Sequence, residues 1–242
     1  MDRMTNGYSA EQIRAAEAPH IAAGVPLMAR AAAGLAREIR DLLPDTGGRI
    51  LLLVGSGDNG ADTLYAGAEL AAGGTDVAIV TTGTRVHEQA LAAALEAGAH
   101  HENTDAAARL AARVDVVVDG ILGTGAGIGT STAVGTGTGP ALRGGARDIV
   151  EAIMPVVTAP RHPLVVAVDI PSGIDPNDGS VPPSSASGSA VVLPADVTVT
   201  FGGHKAGLLI APASGLAGRV KLIDIGLGPD LEKLEPLIRV PE

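Results

Sequence analysis

The 242-residue sequence has no cysteine, no tryptophan and a single phenylalanine, Phe201. Without cysteine, the chain has neither a disulfide framework nor a thiolate nucleophile. Aromatic residues make up 1% of the chain and hydrophobic residues 46%, so the core has to be built from Ala, Val, Leu and Ile. A chain of this length is sufficient for one large α/β domain.

Basic residues are also scarce, because 17 Lys and Arg stand against 27 Asp and Glu and give a net charge of −10. A field of that sign disfavours nucleic acid and anionic membranes as partners. No apolar run approaches the ~20 residues of a membrane span. The N-terminal segment has scattered charges and no apolar stretch of the kind found in signal peptides. The sequence therefore predicts a cytoplasmic protein that binds neither nucleic acid nor a membrane.

Short apolar runs alternate with helical patterns along the chain. The runs are typical of strands buried in a parallel sheet and begin at Arg49, Asp76, Val114, Leu164, Val197 and Arg219. Helices are expected after the N-cap residue Ser9, over 26–43, 61–73 and 87–97, and shortly after Gly228. This alternation predicts a three-layer α/β/α Rossmann-like sandwich with a mostly parallel central sheet.

Three loops are expected at the carboxyl ends of these strands, where open parallel sheets bind their ligands. They read GSGDNGAD over 55–62, DGILGTG over 119–125 and DIPSGID over 169–175. In the first, glycines precede a helix, an arrangement that holds phosphates through backbone N–H groups. The dinucleotide fingerprint over 55–60 requires an acidic residue at the end of the next strand, whereas Asp76 precedes that strand. An ordinary Rossmann dehydrogenase is therefore disfavoured.

Oxygen-bearing side chains recur in the three loops. Asn59, Asp119, Asp169 and Ser172 fall at the same expected edge of one sheet. Taken singly, each is as well explained as a helix cap or a turn residue. Taken together, they offer only oxygen ligands, which suit potassium, magnesium or calcium rather than zinc. A cation at this edge would balance the carboxylates while backbone N–H groups hold a phosphate.

In this order, the loops resemble the motifs of the YjeF N-terminal domain family, the NAD(P)H-hydrate epimerases. The family's GxGNNGGDG stands here as residues 55–63, its DALFGxG as 119–125, its AVDIPSG as 167–173 and its TFGxxKxG as 200–207. The likeness also includes YSAEQIRAAE at 8–17 and VKLIDIG at 220–226. It implies one domain over 1–228, followed by a tail or the start of a linker over 229–242.

The resemblance also implies roles for individual residues. Asn59, Asp119 and Ser172 match the positions that bind a potassium ion. The substrate would be NADHX or NADPHX, the hydrated nicotinamide dinucleotides, whose R and S forms the family interconverts at C6. The matching substrate-binding residues are Asp58, Asn59, Gly60, Ala61, Asp62, Gly123, Thr124, Gly125, Ala126, Gly127, Ile128, Gly129 and Asp169. Asp169 is also our candidate for proton transfer.

Lys205 is one of few cations in the chain. It is either a surface lysine after a strand or a contact to the dinucleotide phosphate or the carboxylates, and we include it among the candidate substrate-binding residues. The family likeness further implies a homodimer. It also implies an ADP- or ATP-dependent dehydratase as a fused domain or a partner.

Three residues depart from the first family motif. Asp58 replaces an asparagine, and Ala61 and Thr63 replace glycines. A methyl group where positive φ is needed costs ~1–2 kcal/mol. The departures leave open a catalytically weak or inactive nucleotide-binding module of the same fold. The Gly/Thr-rich stretch 123–147 also leaves open which part meets the ligand: the residues from Gly123, which we prefer because they follow Asp119, or those at 135–140.

Overall fold

The structure, a computed structural model, describes residues 4–45, 47–124, 141–182 and 191–241. In these ranges the strands are β1 (Met4–Tyr8), β2 (Arg49–Val54), β3 (Asp76–Thr81), β4 (His100–Glu102), β5 (Val116–Gly120), β6 (Leu164–Val168), β7 (Val197–Phe201), β8 (His204–Lys205), β9 (Arg219–Ile223) and β10 (Ile238–Pro241). The helices are α1 (Ala10–Ala22), α2 (Leu27–Arg40), α3 (Asp58–Ala72), α4 (Glu88–Glu96), α5 (Ala107–Ala111), α6 (Gly144–Val157) and α7 (Gly228–Leu231).

A seven-stranded sheet in the order β4-β3-β2-β5-β6-β7-β9 forms the centre of the fold. Every neighbouring pair in it is parallel. The chain builds outward from β2 to β4 and then returns to β5 on the other side of β2. The strand order therefore reverses between β2 and β5, and in such sheets ligands bind beyond the carboxyl ends of the strands at that point.

Strand β2 illustrates why both faces of the sheet are covered. Ile50, Leu52 and Val54 belong to one buried cluster, whereas Leu51 and Leu53 belong to another. Successive side chains of a strand point to opposite faces, so a strand covered on both sides is apolar throughout. The first cluster includes residues of α1 to α4 and the second includes residues of α5 and α6. The predicted three-layer sandwich is thus confirmed.

A second, three-stranded sheet in the order β10-β1-β8 was not expected from the sequence. Strand β1 pairs antiparallel with β10 and parallel with β8. Residues 229–241, which the sequence analysis assigned to a tail or linker, thus run through α7 into a strand that pairs with β1. Because α1 follows β1 directly, this small sheet fixes where α1 lies.

Helix α1 begins as the sequence predicts. Ser9 is its N-cap, with Ser9 Oγ accepting a hydrogen bond from Gln12 N at 3.1 Å. The Gln12 side chain accepts one from Ser9 N at 2.9 Å in return, which completes a capping box.

The end of the Gly/Thr-rich stretch differs from expectation. Helix α6 begins at Gly144, so the last four residues of the stretch 123–147 are helical rather than part of a long loop. None of the helices in the described ranges combines the length and the apolar character needed to cross a bilayer.

Candidate active site

A cavity of about 710 Å³ lies at the carboxyl ends of the strands, where the strand order reverses. It is bordered by the turn after β2, the loop after β5, the residue that follows β6, and β8. Helix α1 covers another side of it through Arg14 and Glu17. The polar residues at the wall include Asp58, Asn59, Asp62, Thr124, Asp169 and Lys205.

Asp119 is the second-to-last residue of β5 and is fully buried. Ser172 donates to it twice, from its backbone N at 2.9 Å and from its Oγ at 2.6 Å. Ile121 N donates a third, longer hydrogen bond at 3.3 Å. Burial raises the pKa of the Asp119 carboxyl, while the hydrogen bonds from Ser172 and Ile121 act against that rise. The pair joins the loop after β5 to the loop after β6.

Asn59 lies in the first turn of α3. It connects the turn after β2 to the loop after β5 and to the end of β6. Its Nδ2 donates to the carbonyl oxygen of Leu122 at 3.1 Å and to that of Val168 at 2.9 Å. Leu122 in turn donates its N–H to Ser172 Oγ at 2.8 Å. Asn59, Asp119 and Ser172, to which the family resemblance assigns one ion, are thus linked through shared partners.

Asp169 has an unusual backbone conformation. Its φ is +65°, and it is the one non-glycine residue with positive φ in the described ranges. Such a conformation is disfavoured for residues with a side chain and is typical of functional sites. The Asp169 N–H donates to the carbonyl oxygen of Val199 at 2.7 Å, and Thr200 Oγ1 donates to its carboxylate at 3.2 Å. These contacts fix the direction of the carboxylate.

Lys205 is buried, with 2% of its surface exposed, so it is not the surface lysine that one interpretation of the sequence allowed. Its ammonium group forms an ion pair with Asp169. It also contacts Thr200 Oγ1 at 3.1 Å and the carbonyl oxygen of Phe201 at 2.9 Å. A lysine has three N–H donors, and each has a protein partner here. The direct contact of Lys205 with a carboxylate is therefore its ion pair with Asp169.

Asp62 is the second acidic residue of α3 at the cavity wall. Its Oδ1 is buried and accepts no hydrogen bond from the part of the chain that the structure describes. Burial raises the pKa of Asp62 well above its usual value, and the negative charges of Asp169, Asp58 and Glu17 raise it further. Lys205 lowers it.

Arg14 and Glu17, on α1, are cavity residues that the sequence analysis missed. Arg14 Nη1 donates to the carbonyl oxygen of Thr124 at 3.4 Å. Burial raises the pKa of Glu17, Lys205 lowers it and Asp169 raises it. The one sequence signal that could have identified both residues was the family likeness over 8–17, because no local pattern places α1 above a sheet edge.

The candidate substrate-binding residues are only partly described. Gly123 and Thr124 line the cavity, whereas Gly125, Ala126, Gly127, Ile128 and Gly129 lie outside the described residues, as does the alternative segment 135–140.

Two substituted loop positions are buried in α3. Ala61 has no positive φ and donates its N–H to Gly57 O at 3.1 Å, so its methyl group causes no backbone strain. Thr63 donates through Oγ1 to the carbonyl oxygen of Asn59 at 2.7 Å.

The chain matches one protein family and is similar to relatives of nearly the same length. The model of the family described as "YjeF-related protein N-terminus" matches residues 24–207. The chain is 49% identical to the NAD(P)H-hydrate epimerase of Clavibacter michiganensis, over 98% of this chain and 96% of the relative. It is 43% identical to the NAD(P)H-hydrate epimerase of Microbacterium testaceum, over 96% of this chain and 82% of the relative.

This chain also matches part of some longer relatives. The chain is 41% identical to the bifunctional NAD(P)H-hydrate repair enzyme Nnr of Mycobacterium tuberculosis, over 93% of this chain but 42% of that protein. Among solved structures, that of yeast ynu0 aligns with a TM-score of 0.65 at 16% identity, covering 89% of this chain and 86% of the yeast chain. At that identity the likeness concerns the fold.

Proposed function

Because the chain belongs to the family of YjeF-related protein N-termini, we infer that it is an NAD(P)H-hydrate epimerase, an isomerase of NADHX and NADPHX. The likeness to epimerases over nearly the full length of both chains carries this inference. The reaction interconverts the R and S forms of the hydrated dinucleotide, a repair step.

The chemistry follows from the substrate. C6 of the hydrated ring bears a hydroxyl group next to the ring nitrogen. Loss of that hydroxyl with the help of a general acid leaves an iminium carbon, which water attacks on the other face. Carboxylates near the developing cation stabilise it. We assign proton transfer to Asp169, which faces the cavity and is held by Lys205 and Thr200.

The start of α3 is the proposed site for the phosphates of the dinucleotide. Its N-cap, Gly57, has no side chain to cap the helix, which leaves the N–H groups of the first turn to a ligand. The segment 58–62, the residues from Gly123 to Gly129 and Asp169 then form the proposed substrate contacts. Arg14 adds a positive charge at the same wall.

A potassium ion is proposed at Asn59, Asp119 and Ser172. The chemistry of the oxygen ligands supports it, because Asp119 supplies a carboxylate and Ser172 a hydroxyl, and these two groups lie 2.6 Å apart. The buried charge of Asp119 is a second support, since no cationic side chain of the described residues forms an ion pair with it. A 180° rotation of the Asn59 side-chain amide would place Oδ1 where Nδ2 lies in the structure, and this oxygen could then face the ion. When bound, the ion would supply a positive charge against Asp119.

Partners and location are proposed from the same inference. The bifunctional relatives support a dehydratase, fused or separate, that removes the water from the repaired epimer. A homodimer is the proposed assembly, and the cytoplasm, where nicotinamide dinucleotides are used, is the proposed place of action. The alternative, a catalytically weak or inactive nucleotide-binding module, rested on the departures at Asp58, Ala61 and Thr63, and of these Ala61 is accommodated without positive φ.

The decisive measurement is epimerase activity on a mixture of R and S NADPHX. A stereospecific dehydratase consumes the S form, and the disappearance of the R form is then followed with potassium and with sodium in its place. We expect acceleration above the uncatalysed rate that is lost in Asp169→Ala. A wild-type chain that binds the dinucleotide without accelerating the reaction would instead establish the binding module.

A further inference from the structure

Among the described residues, no hydrogen-bond partner of Asp62 Oδ1 explains the place of this carboxyl group in the fold. The buried carboxylates of Asp119 and Asp169 each accept hydrogen bonds from protein donors. In contrast, Asp62 Oδ1 is buried beside the cavity and has no donor in the described ranges. A buried polar atom without a partner costs about 1–3 kcal/mol, so its retention points to a ligand.

Helix capping does not account for Asp62 either. The N-cap of α3 is Gly57, and its first-turn acidic residue is Asp58. Asp62 lies one turn further along, where the helix dipole has largely lost its effect. The residue therefore neither caps the helix nor stabilises its positive end.

Charges facing Asp62 come from several elements. Asp58 lies on the same helix, Glu17 on α1, Asp169 after β6 and Lys205 on β8. Three of these are acidic, and the N–H groups of Lys205 are taken up by other partners. Burial and the acidic neighbours both favour the protonated form of Asp62 and raise its pKa. A carboxylic acid kept protonated near neutral pH can act as a general acid.

We propose that Asp62 is the proton donor to the departing C6 hydroxyl and that Asp169 accepts the proton of the incoming water. The proposal rests on the function inferred above. Asp62 belongs to the helix after β2 and Asp169 follows β6, and β5 lies between these strands. Both side chains line the same cavity, and the strands that precede them are two strand spacings apart, so the two carboxyl groups approach the cavity from different elements.

The steps balance as follows. The C6–O bond breaks, its oxygen takes the Asp62 proton and leaves as water, and the ring nitrogen's lone pair forms the N1=C6 bond. Water then forms a new C6–O bond on the opposite face, the N1=C6 pair returns to nitrogen, and the surplus proton passes to the Asp169 carboxylate. Exchange with solvent returns both carboxyl groups to their starting states.

The test compares Asp62→Asn, Asp62→Glu and wild type in the coupled NADPHX assay. Asp105→Asn, which removes an exposed carboxyl outside the cavity, is the matched control. General acids contribute about 100-fold to 10,000-fold, so kcat of Asp62→Asn should fall at least about 100-fold while KM changes little. Asp62→Glu should restore part of the rate. The decline of wild-type activity as the pH rises should be absent from Asp62→Asn.

Two outcomes overturn the proposal while leaving the function intact: full activity of Asp62→Asn, or a loss confined to KM, which would make Asp62 a binding residue only. An inactive wild type would contradict the function itself. Thermal unfolding separates misfolding from lost chemistry. Because Asn, like the protonated form of Asp62, is uncharged and of similar size, Asp62→Asn should unfold at about the same temperature as wild type.

Discussion

At the scale of single residues, the acidic character of the loop after β2 has two separate origins. Asp58 is exposed in the first turn of α3, where a negative charge is stabilised by the positive end of the helix. Asp62 is half-buried at the cavity wall and lies beyond that effect. The first carboxylate thus fits the helix, whereas the second is explained by chemistry in the cavity.

Replacing Asp58 by Asn, the residue that the family has there, should move the pH dependence of the reaction. The negative charge of Asp58 raises the pKa of Asp62, so removing that charge lowers this pKa. Asp62 then loses its proton at a lower pH, and the alkaline decline of kcat should begin at a lower pH in Asp58→Asn than in wild type. A profile measured at constant ionic strength checks this. An unchanged alkaline decline would show that another group controls it.

Thr63 and Gly120 form a second residue-scale pair. A Cβ atom on Gly120 would lie 2.0 Å from Thr63 Oγ1 and 2.8 Å from Thr63 Cβ. The family motifs have Gly at position 63 and Ala at position 120. In this chain the side chain is at position 63 and the glycine is at position 120. The departure at Thr63 is therefore accommodated by the absence of a side chain at Gly120.

Gly120→Ala should lower the free energy of unfolding by about 1–3 kcal/mol, because it overpacks a buried contact. The double variant Thr63→Gly/Gly120→Ala should recover part of that loss, although glycine within a helix itself costs about 1 kcal/mol. Urea unfolding of the two single variants and the double variant gives the coupling energy. Additive losses would contradict the pairing.

At the scale of elements, β1 determines what α1 can contribute. Strand β1 pairs with β8, the strand that contains Lys205, and α1 follows it with Arg14 and Glu17 at the cavity. Gly7 allows this close approach, since a Cβ there would lie 2.9 Å from Ala206 Cα and 2.6 Å from Ile238 Cγ2. The three-stranded sheet β10-β1-β8 thus holds both ends of the described chain beside Lys205, a residue of the cavity wall.

Gly7→Ala should therefore affect the site more than the central sheet. We expect β1 to shift away from Ala206, α1 to follow, and KM for NADPHX to rise several-fold while the far-UV circular dichroism is retained. Gly215→Ala is the matched control, because a Cβ at Gly215 meets nothing within 4 Å. An equal rise of KM in both variants would argue against a special role of β1.

At the scale of the whole molecule, acidic side chains from several elements meet at the cavity. The net charge is −10; the carboxyl groups of Glu17, Asp58, Asp62 and Asp169 line the cavity, and that of Asp119 is buried near the end of β5. A cation bound only by the folded chain stabilises it in proportion to the logarithm of its concentration. Potassium would then stabilise the domain as well as serve the site.

We expect Tm to rise when potassium replaces sodium at constant ionic strength, by the equivalent of about 2.7 kcal/mol at a concentration 100 times Kd. The rise should vanish in Asp119→Asn, which removes the buried carboxylate. Differential scanning calorimetry in the two salts checks both statements. A potassium effect of equal size in the variant would place the ion elsewhere.

From the amino-acid sequence one can predict the three layers, the principal strands of the central sheet and the position of three loops at one edge. The reason is local: apolar periodicity defines each strand, and parallel strands bring their carboxyl ends to the same side. Three features follow only from the tertiary fold: α1 reaches the cavity, Lys205 is buried against Asp169, and Asp62 Oδ1 has no donor among the described residues. These features depend on contacts between segments far apart in the chain, such as β1 with β8, which no local pattern encodes.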